Sequence, residues 1–292
     1  MRLLSWNIQW GRGRDGRVVL ARIAEVLRAH DPDVVCLQEL AVHHEGLPGA
    51  PQGNQPVQLA MLLPGYQWVY APASDLPDGR GGRRQFGNLL LSRLPILQVL
   101  RHQLPWPADP CVPSMPRVAL EASIEVPVVA SGASVALGAL RVVTTHLEFY
   151  SPIQRRAQVE HLRGIQENGY CGARNLPTSE DSDPPFAVLP RGEGAVFCGD
   201  FNCGPESDEY VRMQADLASD VPRLMDAWRL RHADQPHPPT AGLVSSPWLD
   251  KPVCFDFFFV SADLAGRVLD VWVDEGTEAS DHQPILLTLT ND

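Results

Sequence analysis

Two short polar segments carry residues that could hydrolyse a phosphate ester. The segment Gly199-Asp200-Phe201-Asn202 places a carboxylate two residues from a carboxamide, and Ser280-Asp281-His282 places a carboxylate beside an imidazole. Carboxylates can hold a divalent metal ion and take a proton from water, and an imidazole can stabilise charge on a phosphoryl group. The two segments therefore indicate hydrolysis of a phosphoester with the help of a metal ion.

Other polar residues follow the same layout, in which an apolar run that predicts a buried strand ends in a polar side chain. They are Asn7, Glu39 and His146, together with Asp256 inside the apolar run Phe255–Val260. A single residue of this kind is more often a hydrogen-bonded group of the core or of a turn. Six such segments in one chain are hard to explain in that way, and strand ends are where the sites of layered sheet proteins are built.

These residues need a framework of strands and helices to hold them, and the apolar pattern predicts one. Strands are predicted over residues 3–9, 33–39, 67–70, 87–92, 96–102, 118–126, 135–146, 195–198, 254–261, 268–274 and 284–290. The strands over 87–92 and 96–102 are expected to pair with each other. Apolar residues at helical spacing, with caps and stop signals, predict helices over 17–30, 151–166 and 206–217 and the end of a short helix over 59–63. Gly, Pro and polar residues predict loops over 43–58, 78–84, 105–116 and 168–193.

The order of these elements favours one domain over residues 1–292. Consecutive strands often follow one another through short turns, which is not the pattern of regular βαβ units. Helices are few, and composition does not break along the chain. We therefore expect an α+β fold, a sandwich of two mostly antiparallel sheets with helices outside them.

Composition limits the classes of partner and compartment. The formal net charge is −11 and Lys251 is the only lysine, so a broad basic surface for duplex DNA is not expected. Six cysteines contain no CxxC pair and predict neither a zinc site nor a disulfide framework. Neither an export signal nor an apolar run of membrane-spanning length is present in the sequence, so we expect no membrane insertion and a cytoplasmic location.

The polar segments occur in an order that resembles a known superfamily. Ser-Trp-Asn, Leu-Gln-Glu, Thr-His-Leu, Gly-Asp-Phe-Asn, Phe-Asp-Phe-Phe-Phe-Val-Ser and Ser-Asp-His stand at residues 5–7, 37–39, 145–147, 199–202, 255–261 and 280–282. Together they are similar to the endonuclease/exonuclease/phosphatase superfamily, which has the DNase I-like fold. The resemblance extends from residue 3 to residue 287 and implies a four-layer α/β/β/α sandwich with Mg²⁺- or Mn²⁺-dependent phosphoester hydrolysis.

The resemblance implies a role for each polar residue. Glu39 would be the principal metal ligand, because hard cations prefer oxygen donors, with Asn7 orienting that site and Asp281 as a second or outer ligand. Asp200 would be the general base or would orient the attacking water. The other expected catalytic residues are His282 and His146 as phosphate contacts, Asp256 as the partner of His282, and Asn202 as a ligand of a phosphoryl oxygen or of the water.

Four residues are predicted to bind substrate. Asn88 lies in the family-like segment Gly-Asn-Leu-Leu-Leu-Ser, and Arg117 follows Pro116 as in a Pro-Arg pair found in relatives. Arg155 begins an Arg-x-x-Gln pattern, for which a solvated helix face is an equal alternative. Arg84 belongs to an arginine-rich loop that either grips additional phosphates or is simply solvated.

The family name does not choose the substrate. Apurinic endonucleases usually carry an acid where this chain has Gln9, and tyrosyl-DNA phosphodiesterases carry Thr where it has Phe201. The sequence at 252–257 departs from the pattern of phosphoinositide phosphatases. We expect a phosphodiesterase or nuclease acting on nucleic-acid or nucleotide phosphodiesters. The alternatives are a phosphomonoesterase acting on a phosphorylated metabolite or lipid head group, and a non-catalytic binding protein. The oligomeric state is left open.

Overall fold

The computed structural model describes residues 1–126, 138–175, 191–218, 220–243 and 249–290. Within these ranges, twelve strands form two six-stranded sheets, and helices lie outside them. The expected α+β sandwich is therefore confirmed. No helix in these ranges combines the length and the apolar character needed to cross a membrane.

The first sheet is built from both ends of the described chain. Its strands are β1 (Arg2–Asn7), β2 (Val34–Val42), β3 (Gln67–Pro77), β4 (Arg83–Ser92), β11 (Val268–Val273) and β12 (Ile285–Leu289). They run in the order β11-β12-β1-β2-β4-β3. Strands β1 and β2 are parallel, whereas the other neighbours are antiparallel.

The second sheet repeats this arrangement with the middle of the chain. Its strands are β5 (Ile96–Gln103), β6 (Val118–Glu125), β7 (Ala139–His146), β8 (Ala195–Asp200), β9 (Leu224–Asp226) and β10 (Asp256–Ser261). They run in the order β5-β6-β7-β8-β10-β9. Here β7 and β8 form the parallel pair, and the other neighbours are antiparallel. Each sheet therefore has one parallel pair at its centre.

Helices cover the outer face of each sheet. They are α1 (Leu20–His30), α2 (Gln55–Leu62), α3 (Pro152–Arg174) and α4 (Asp208–Met213). The short helix α5 (Ala227–His232) instead lies between strands of the two sheets, where Ala227 packs in the cluster between them. The expected serine cap of α3 is present, since Ser151 Oγ accepts the Gln154 N–H at 3.2 Å. Pro152 follows at the first helical position, where its missing N–H leaves no intrahelical bond unmade.

Alternating side chains along the central strands divide the apolar core into three clusters. On β8, Val196 and Cys198 pack between the sheets, whereas Ala195 and Phe197 pack beneath α3. On β1, Leu4 packs beneath α1 and α2 with the cluster on the other outer face. Because both faces of a central strand are buried, its sequence is a continuous apolar run. The result is four layers in the order helix, sheet, sheet, helix.

One predicted strand pairing is wrong. Strands β4 and β5 do not pair with each other, because β4 lies between β2 and β3 while β5 pairs with β6 in the other sheet. The connection is Arg93-Leu94-Pro95, and Ser92 Oγ accepts the Leu94 N–H at 3.0 Å to close a tight turn. A short connection between two apolar strands predicts a hairpin, but here it carries the chain from one sheet to the other.

Several element boundaries also differ from the prediction. Helix α2 begins at Gln55, inside the predicted loop 43–58, because Asn54 accepts the Val57 N–H at 3.2 Å and caps it. Strand β3 continues to Pro77, and the loop before β4 is shorter than predicted because β4 begins at Arg83. Helix α3 continues to Arg174, and α4 is shorter than the predicted 206–217. Residues 176–190 of the predicted loop and 135–137 of a predicted strand lie outside the described residues.

Candidate active site

The ends of the two parallel strand pairs bring the predicted site residues together. Asn7 ends β1 and His146 ends β7, while Asp200 ends β8 directly opposite His146 in the parallel register. Asp256 begins the neighbouring antiparallel strand and is also paired with Asp200. Because side chains at the ends of neighbouring strands point to the same edge, polar groups from both sheets meet there.

Asn7 joins a carboxylate of each sheet. Its Nδ2 donates hydrogen bonds to Glu39 Oε1 at 3.0 Å and to Asp200 Oδ2 at 3.0 Å. Its Oδ1 accepts the Gln9 N–H at 3.1 Å, which fixes the amide plane. The amide therefore orients the two carboxylates relative to each other.

Asp256 holds the ring of His282 in place. The Nδ1 atom of His282 lies 2.8 Å from Asp256 Oδ2, and its Nε2 atom lies 3.7 Å from Asp200 Oδ2. Thr240 Oγ1 donates to Asp256 Oδ2 at 2.6 Å and accepts the backbone N–H groups of Phe255 and Asp256. The Asp256 carboxylate is thus held from two directions and leaves Nε2 of His282 facing the site.

His146 and Asn202 complete the surroundings of Asp200. His146 Nε2 lies 3.5 Å from Asp200 Oδ2, and its Nδ1 lies 3.8 Å from Glu39 Oε1. The backbone N–H of Asn202 donates to Asp200 Oδ1 at 2.9 Å, and its side chain donates to Leu147 O at 2.8 Å. Both oxygens of Asp200 are therefore held by hydrogen bonds from the protein.

Several site residues have left-handed backbone conformations that non-glycine residues rarely adopt. The φ angles are 63° at Glu39, 49° at Asn202, 43° at Gln9 and 44° at Trp10. Glu39 also lies where the register of β2 with β4 shifts between Leu37 and Leu40. Such conformations cost on the order of 1–3 kcal/mol each and cluster at functional sites, where the surrounding structure imposes them.

Burial raises the pKa values of the carboxylates at the site. It raises the pKa of Glu39 to about 7, and the neighbouring Asp281 carboxylate adds to the rise. It also raises the pKa of Asp200 to about 6, although a charged His282 opposes the rise. The pKa of Asp281 is raised by burial as well. The site thus holds more negative charge than its own cations balance.

The pKa values of the two histidines are shifted in opposite directions. Burial alone would lower the pKa of His282, but the Asp256 and Asp200 carboxylates outweigh burial and raise the pKa well above its ordinary value. Burial and the nearby Arg117 lower the pKa of His146 well below its ordinary value. These directions favour a charged His282 and a neutral His146.

The donor set around Glu39 fits a hard divalent cation. Glu39 and Asp281 supply carboxylate oxygens, and Gln9 Nε2 donates to Asp281 Oδ2 at 2.5 Å. Asn7 orients Glu39 through its amide nitrogen, while its oxygen accepts the Gln9 N–H. A divalent cation would balance the negative charge of these carboxylates.

A second group of residues has the spacing of a metal site but not the chemistry. The ligand atoms of Asp200, Asp256 and His282 lie within 4.8 Å of one another. A protonated imidazole has no lone pair to offer a metal ion, and Nδ1 of His282 already bonds Asp256. This group is better described as a hydrogen-bonded pair, Asp256–His282, facing a third carboxylate.

A cavity of about 220 Å³ opens over these groups. Glu39, His146, Asp200, Asn202, Asp281 and His282 line it. The remaining lining is mostly apolar and includes Trp10, Phe86, Met115, Phe149, Tyr150 and Phe255. A reactive polar centre with an apolar surround is the usual construction of a small-ligand site.

Comparison with known proteins agrees with this geometry. A model of the Endonuclease/Exonuclease/phosphatase family matches residues 4–282. The chain belongs to this family. Members of the family are phosphoester hydrolases, and they typically use divalent metal ions. A search of curated protein sequences gives no significant match.

Solved structures of similar fold come from bacteria and from human cells. An endonuclease/exonuclease/phosphatase from Beutenbergia cavernae is 24% identical with a TM-score of 0.65, over 99% of this chain and 71% of that one. The human Nocturnin catalytic domain, solved with a bound sulfate anion, is 21% identical with a TM-score of 0.61, over 99% and 94%. A mannosyl-6-phosphatase from Bacteroides thetaiotaomicron is 17% identical with a TM-score of 0.60, over 99% of both chains. At these identities the likeness establishes the DNase I-like fold.

Within this family site, the predicted substrate-binding residues have varied surroundings. Arg117 lines the cavity, and its Nε lies 3.2 Å from Glu148 Oε2. Arg155 donates to the carbonyl oxygens of Glu148 and Phe149, each at 3.0 Å, and is absent from the described lining. The structure therefore gives Arg155 a backbone partner instead of placing it in the cavity.

The other two lie farther from the reactive groups. Asn88 is buried, donates to Val118 O at 3.0 Å and so links β4 to β6 across the two sheets. Arg84 is exposed on β4, two residues before Phe86. Neither is among the described residues that line the cavity, and their substrate contacts stay predictions.

Three contributors to the site were not predicted from the sequence. Gln9 was noted only as a departure from apurinic endonucleases, Thr240 lies in a segment without strand or helix periodicity, and Glu148 follows the Thr-His-Leu motif. Only its position directly after this motif pointed to Glu148. Thr240 had no local signal, because its partner Asp256 is sixteen residues away.

Proposed function

We propose that this protein is a divalent-metal-dependent phosphodiesterase that acts on nucleic-acid or nucleotide phosphodiesters by attack of water. The observation that carries the proposal is the joint orientation of Glu39 and Asp200 by Asn7, opposite a His282 that Asp256 holds in its charged form. This arrangement provides a base and a cationic donor within one cavity. A bound phosphoester needs both.

Glu39 and Asp281 would hold the metal ion, with Asn7 orienting Glu39. When bound, Mg²⁺ or Mn²⁺ would polarise a phosphoryl oxygen and balance the negative charge of the transition state. Oxygen-only donors suit hard cations such as Mg²⁺ or Mn²⁺, and this choice of metal is part of the proposal.

Asp200 is the group best suited to take the proton of the attacking water. Hydrogen bonds hold both its oxygens, and a pKa of about 6 leaves it ionised at neutral pH yet basic enough to accept a proton. As the water oxygen bonds to phosphorus, the ester oxygen leaves and a proton moves to Asp200. His282 Nε2 and His146 would contact the phosphoryl oxygens, which carry the developing charge.

A substrate panel with Asp200→Asn tests this proposal. The panel holds bis-p-nitrophenyl phosphate, p-nitrophenyl phosphate, single- and double-stranded DNA, RNA and inositol phosphates, each with Mg²⁺, Mn²⁺ or EDTA. We expect diester cleavage that EDTA abolishes and that Asp200→Asn lowers about 10³-fold, in the range of lost general-base catalysis. Asp216→Asn, whose side chain is 91% exposed, is the matched control and should keep full activity.

The other outcomes separate the alternatives. Cleavage of monoesters alone would assign the protein to the phosphomonoesterases that act on a metabolite or lipid head group. No metal-dependent cleavage of any ester would favour a binding protein with this fold. Full activity of Asp200→Asn would remove Asp200 from the role of base. We also propose that residues 1–292 form a single domain and that the protein is cytoplasmic.

A further inference from the structure

Half-buried aromatic side chains from both sheets surround the reactive groups. On the first sheet, Trp10 and Phe86 have ring centroids 6.1 Å apart, and we call this pair the first aromatic wall. On the second sheet, Phe149 contacts Tyr150 at 4.9 Å and Phe255 at 6.5 Å, and we call this group the second aromatic wall. All five residues line the cavity.

The two walls have equivalent positions in the fold. Trp10 lies three residues after Asn7, which ends β1, and Phe149 lies three residues after His146, which ends β7. Each wall therefore follows the catalytic end of a parallel strand. No ring contact among the described residues joins one wall to the other, so the reactive groups at the strand ends separate them.

The rings are held in exposed positions where packing alone would not place them. Tyr150 is 44% exposed, and Trp10, Phe86, Phe149 and Phe255 are only partly buried. The backbone of Trp10 is left-handed, with φ at 44°, and its Nε1 donates to Pro48 O at 2.8 Å. A large apolar residue kept partly exposed in a strained conformation points to a contact made outside the chain.

Polar contacts hold the second aromatic wall rigid. Glu148 Oε1 accepts the Tyr150 N–H at 2.9 Å, and Gln158 Oε1 accepts the Glu148 N–H at 2.9 Å. Arg155 donates to the carbonyl oxygens of Glu148 and Phe149. The predicted Arg-x-x-Gln pattern on α3 thus holds the backbone that carries these rings, which reduces the entropy cost of binding.

The charge of the cavity disfavours a long polyanion. Arg117 is the only arginine among the described residues that line it, no lysine joins it, and Glu148 neutralises it. Binding of an extended phosphate backbone requires several unpaired basic side chains. Recognition by ring stacking instead suits a small ester with a single phosphate between flat groups.

Building on the phosphodiesterase function proposed above, we infer that the substrate carries a planar ring on each side of its phosphorus, as a dinucleotide does. One ring stacks on the first aromatic wall and the other on the second. The phosphate between them lies over Asp200 and His282. In this arrangement the walls set specificity, whereas the strand-end residues perform hydrolysis.

A series of diesters with one leaving group tests the inference. The p-nitrophenyl diesters of methanol, cyclohexanol, phenol and thymidine 5′-phosphate share the bond that breaks and differ only in the retained group. We expect kcat/KM to be about tenfold higher for the phenyl and thymidine esters than for the methyl ester, at the lower end of base–aromatic stacking. The cyclohexyl ester should fall well below the phenyl ester. Equal values for methyl and phenyl, or for cyclohexyl and phenyl, would overturn the inference.

Variants that replace a ring by an aliphatic side chain locate the effect. Of Trp10→Leu and Tyr150→Leu, the variant at the wall that takes the retained group should lower the ratio of phenyl to methyl kcat/KM by roughly tenfold. The variant at the wall that takes the p-nitrophenyl ring should lower kcat/KM for both esters alike, because both esters carry that ring. Trp272→Leu, on the edge strand β11 and 39% exposed, is the matched control and should leave this ratio unchanged. An unchanged ratio in both cavity variants would contradict the role of the walls.

Binding to Asp200→Asn separates this inference from the proposed function. Calorimetry with Mg²⁺ would compare a thymidine dinucleotide with the methyl ester of thymidine 5′-phosphate, which lacks the second ring. Tighter binding of the dinucleotide, by about tenfold, supports the walls even if hydrolysis is never seen. Equal binding of the two ligands rejects the walls even if the wild-type enzyme cleaves every diester.

Discussion

Two groups of charged residues in this molecule have carboxylate pKa values that are shifted in opposite directions. At the candidate site, burial raises the pKa values of Glu39, Asp200 and Asp281. In the second sheet, Glu121 on β6 is at least as buried, yet its pKa is lowered. We call this second group, with Arg141, Arg191 and His102 around Glu121, the Glu121 cluster.

The difference follows from the partners of each carboxylate. Burial would raise the pKa of Glu121, but a hydrogen bond from His102 and the charges of two arginines outweigh it. His102 Nε2 lies 2.8 Å from Glu121 Oε2, and Arg191 and Arg141 lie 3.0 Å and 3.7 Å from Oε1. The site has three carboxylates with raised pKa values and no arginine bonded to them among the described contacts.

The comparison teaches how to separate a structural charge from a functional one in this fold. A buried carboxylate whose charge is balanced within the chain contributes to stability. A buried carboxylate left without a balancing cation costs stability and is available for a metal ion or a proton. The strained backbone at Glu39 and Asn202 belongs to the second kind of region.

The largest difference in activity is expected between variants of His282 and His102. His282 and His102 each lie 2.8 Å from a buried carboxylate oxygen. We expect His282→Asn to lower kcat about 10³-fold, because a charged donor to the phosphate is lost. His102→Asn should keep its activity and lose stability, as measured by steady-state kinetics and urea unfolding of both variants. Comparable losses of kcat in the two variants would show that the candidate site and the Glu121 cluster do not differ in their contribution to catalysis.

Removal of Arg141 should show that the Glu121 cluster is structural. This side chain is fully buried, and it donates to Gln166 Oε1 at 2.6 Å and to Gly192 O at 2.9 Å. We expect Arg141→Met to lower the free energy of unfolding by roughly 3 kcal/mol, because it leaves buried partners unpaired. Urea unfolding measures this, with Arg223→Met as the control, since Arg223 is half exposed. A loss below that of the control would show that the cluster is dispensable.

Neutralising a site carboxylate should have the opposite effect on stability. The folded pKa of Glu39 is about 7 and its ordinary value is 4.5, so ionisation weakens the metal-free folded state as pH rises between these values. Glu39→Gln in EDTA should therefore raise the unfolding free energy by about 1–3 kcal/mol above pH 7 and have little effect below pH 4.5. Unfolding curves at pH 4, 6 and 8 test this. If Glu39→Gln were less stable than wild type at pH 8, the Glu39 carboxylate would not be destabilising in the metal-free site.

The smallest effect on stability is expected at Glu121, where the dependence on pH should have the opposite sign. Its folded pKa lies below the ordinary value of 4.5, so its stabilisation is present above that pH and is lost as pH falls through the folded pKa. Glu121→Gln should be less stable than wild type at pH 6 by roughly 1 kcal/mol, with the gap narrowing in more acid solution. Acid titration of both proteins by circular dichroism checks the sign. A gap that widens toward low pH would place Glu121 with the site carboxylates.

Much of the framework could be predicted from the sequence because its signals are local. Apolar runs of strand length locate β1, β2, β8 and β10, and the polar residues at their ends are adjacent in sequence to those runs. Asn54 and Ser151 show the limit of such signals. Both cap helices, but only the serine stands before a clear helical pattern, so α2 was predicted to begin too late.

The pairing of strands and the hydrogen-bond partners of side chains depend on residues distant in sequence, so they could not be predicted. The hairpin expected between β4 and β5 fails because the turn after Ser92 does not determine which sheet the chain enters next. The sequence left Arg155 with two equal alternatives, a substrate contact or a solvated helix face, and did not indicate the carbonyl groups of Glu148 and Phe149 to which it donates. A contact of Arg155 with substrate stays a prediction. Thr240 was missed because its hydrogen bond to Asp256 depends on a loop that comes to lie beside β10.

The sequence by itself determined the residue types of the site, the strands that end in them and the family to which the chain belongs. Only the tertiary structure decided how those residues act together. Asn7 and Asp200 are 193 positions apart, and Asn7 and Ser280 are 273 apart, yet hydrogen bonds join both pairs. These contacts form because the stacked sheets bury their shared apolar face and bring the ends of two parallel strand pairs to one edge. Local sequence sets where each strand ends, whereas the packing of the two sheets sets which ends meet.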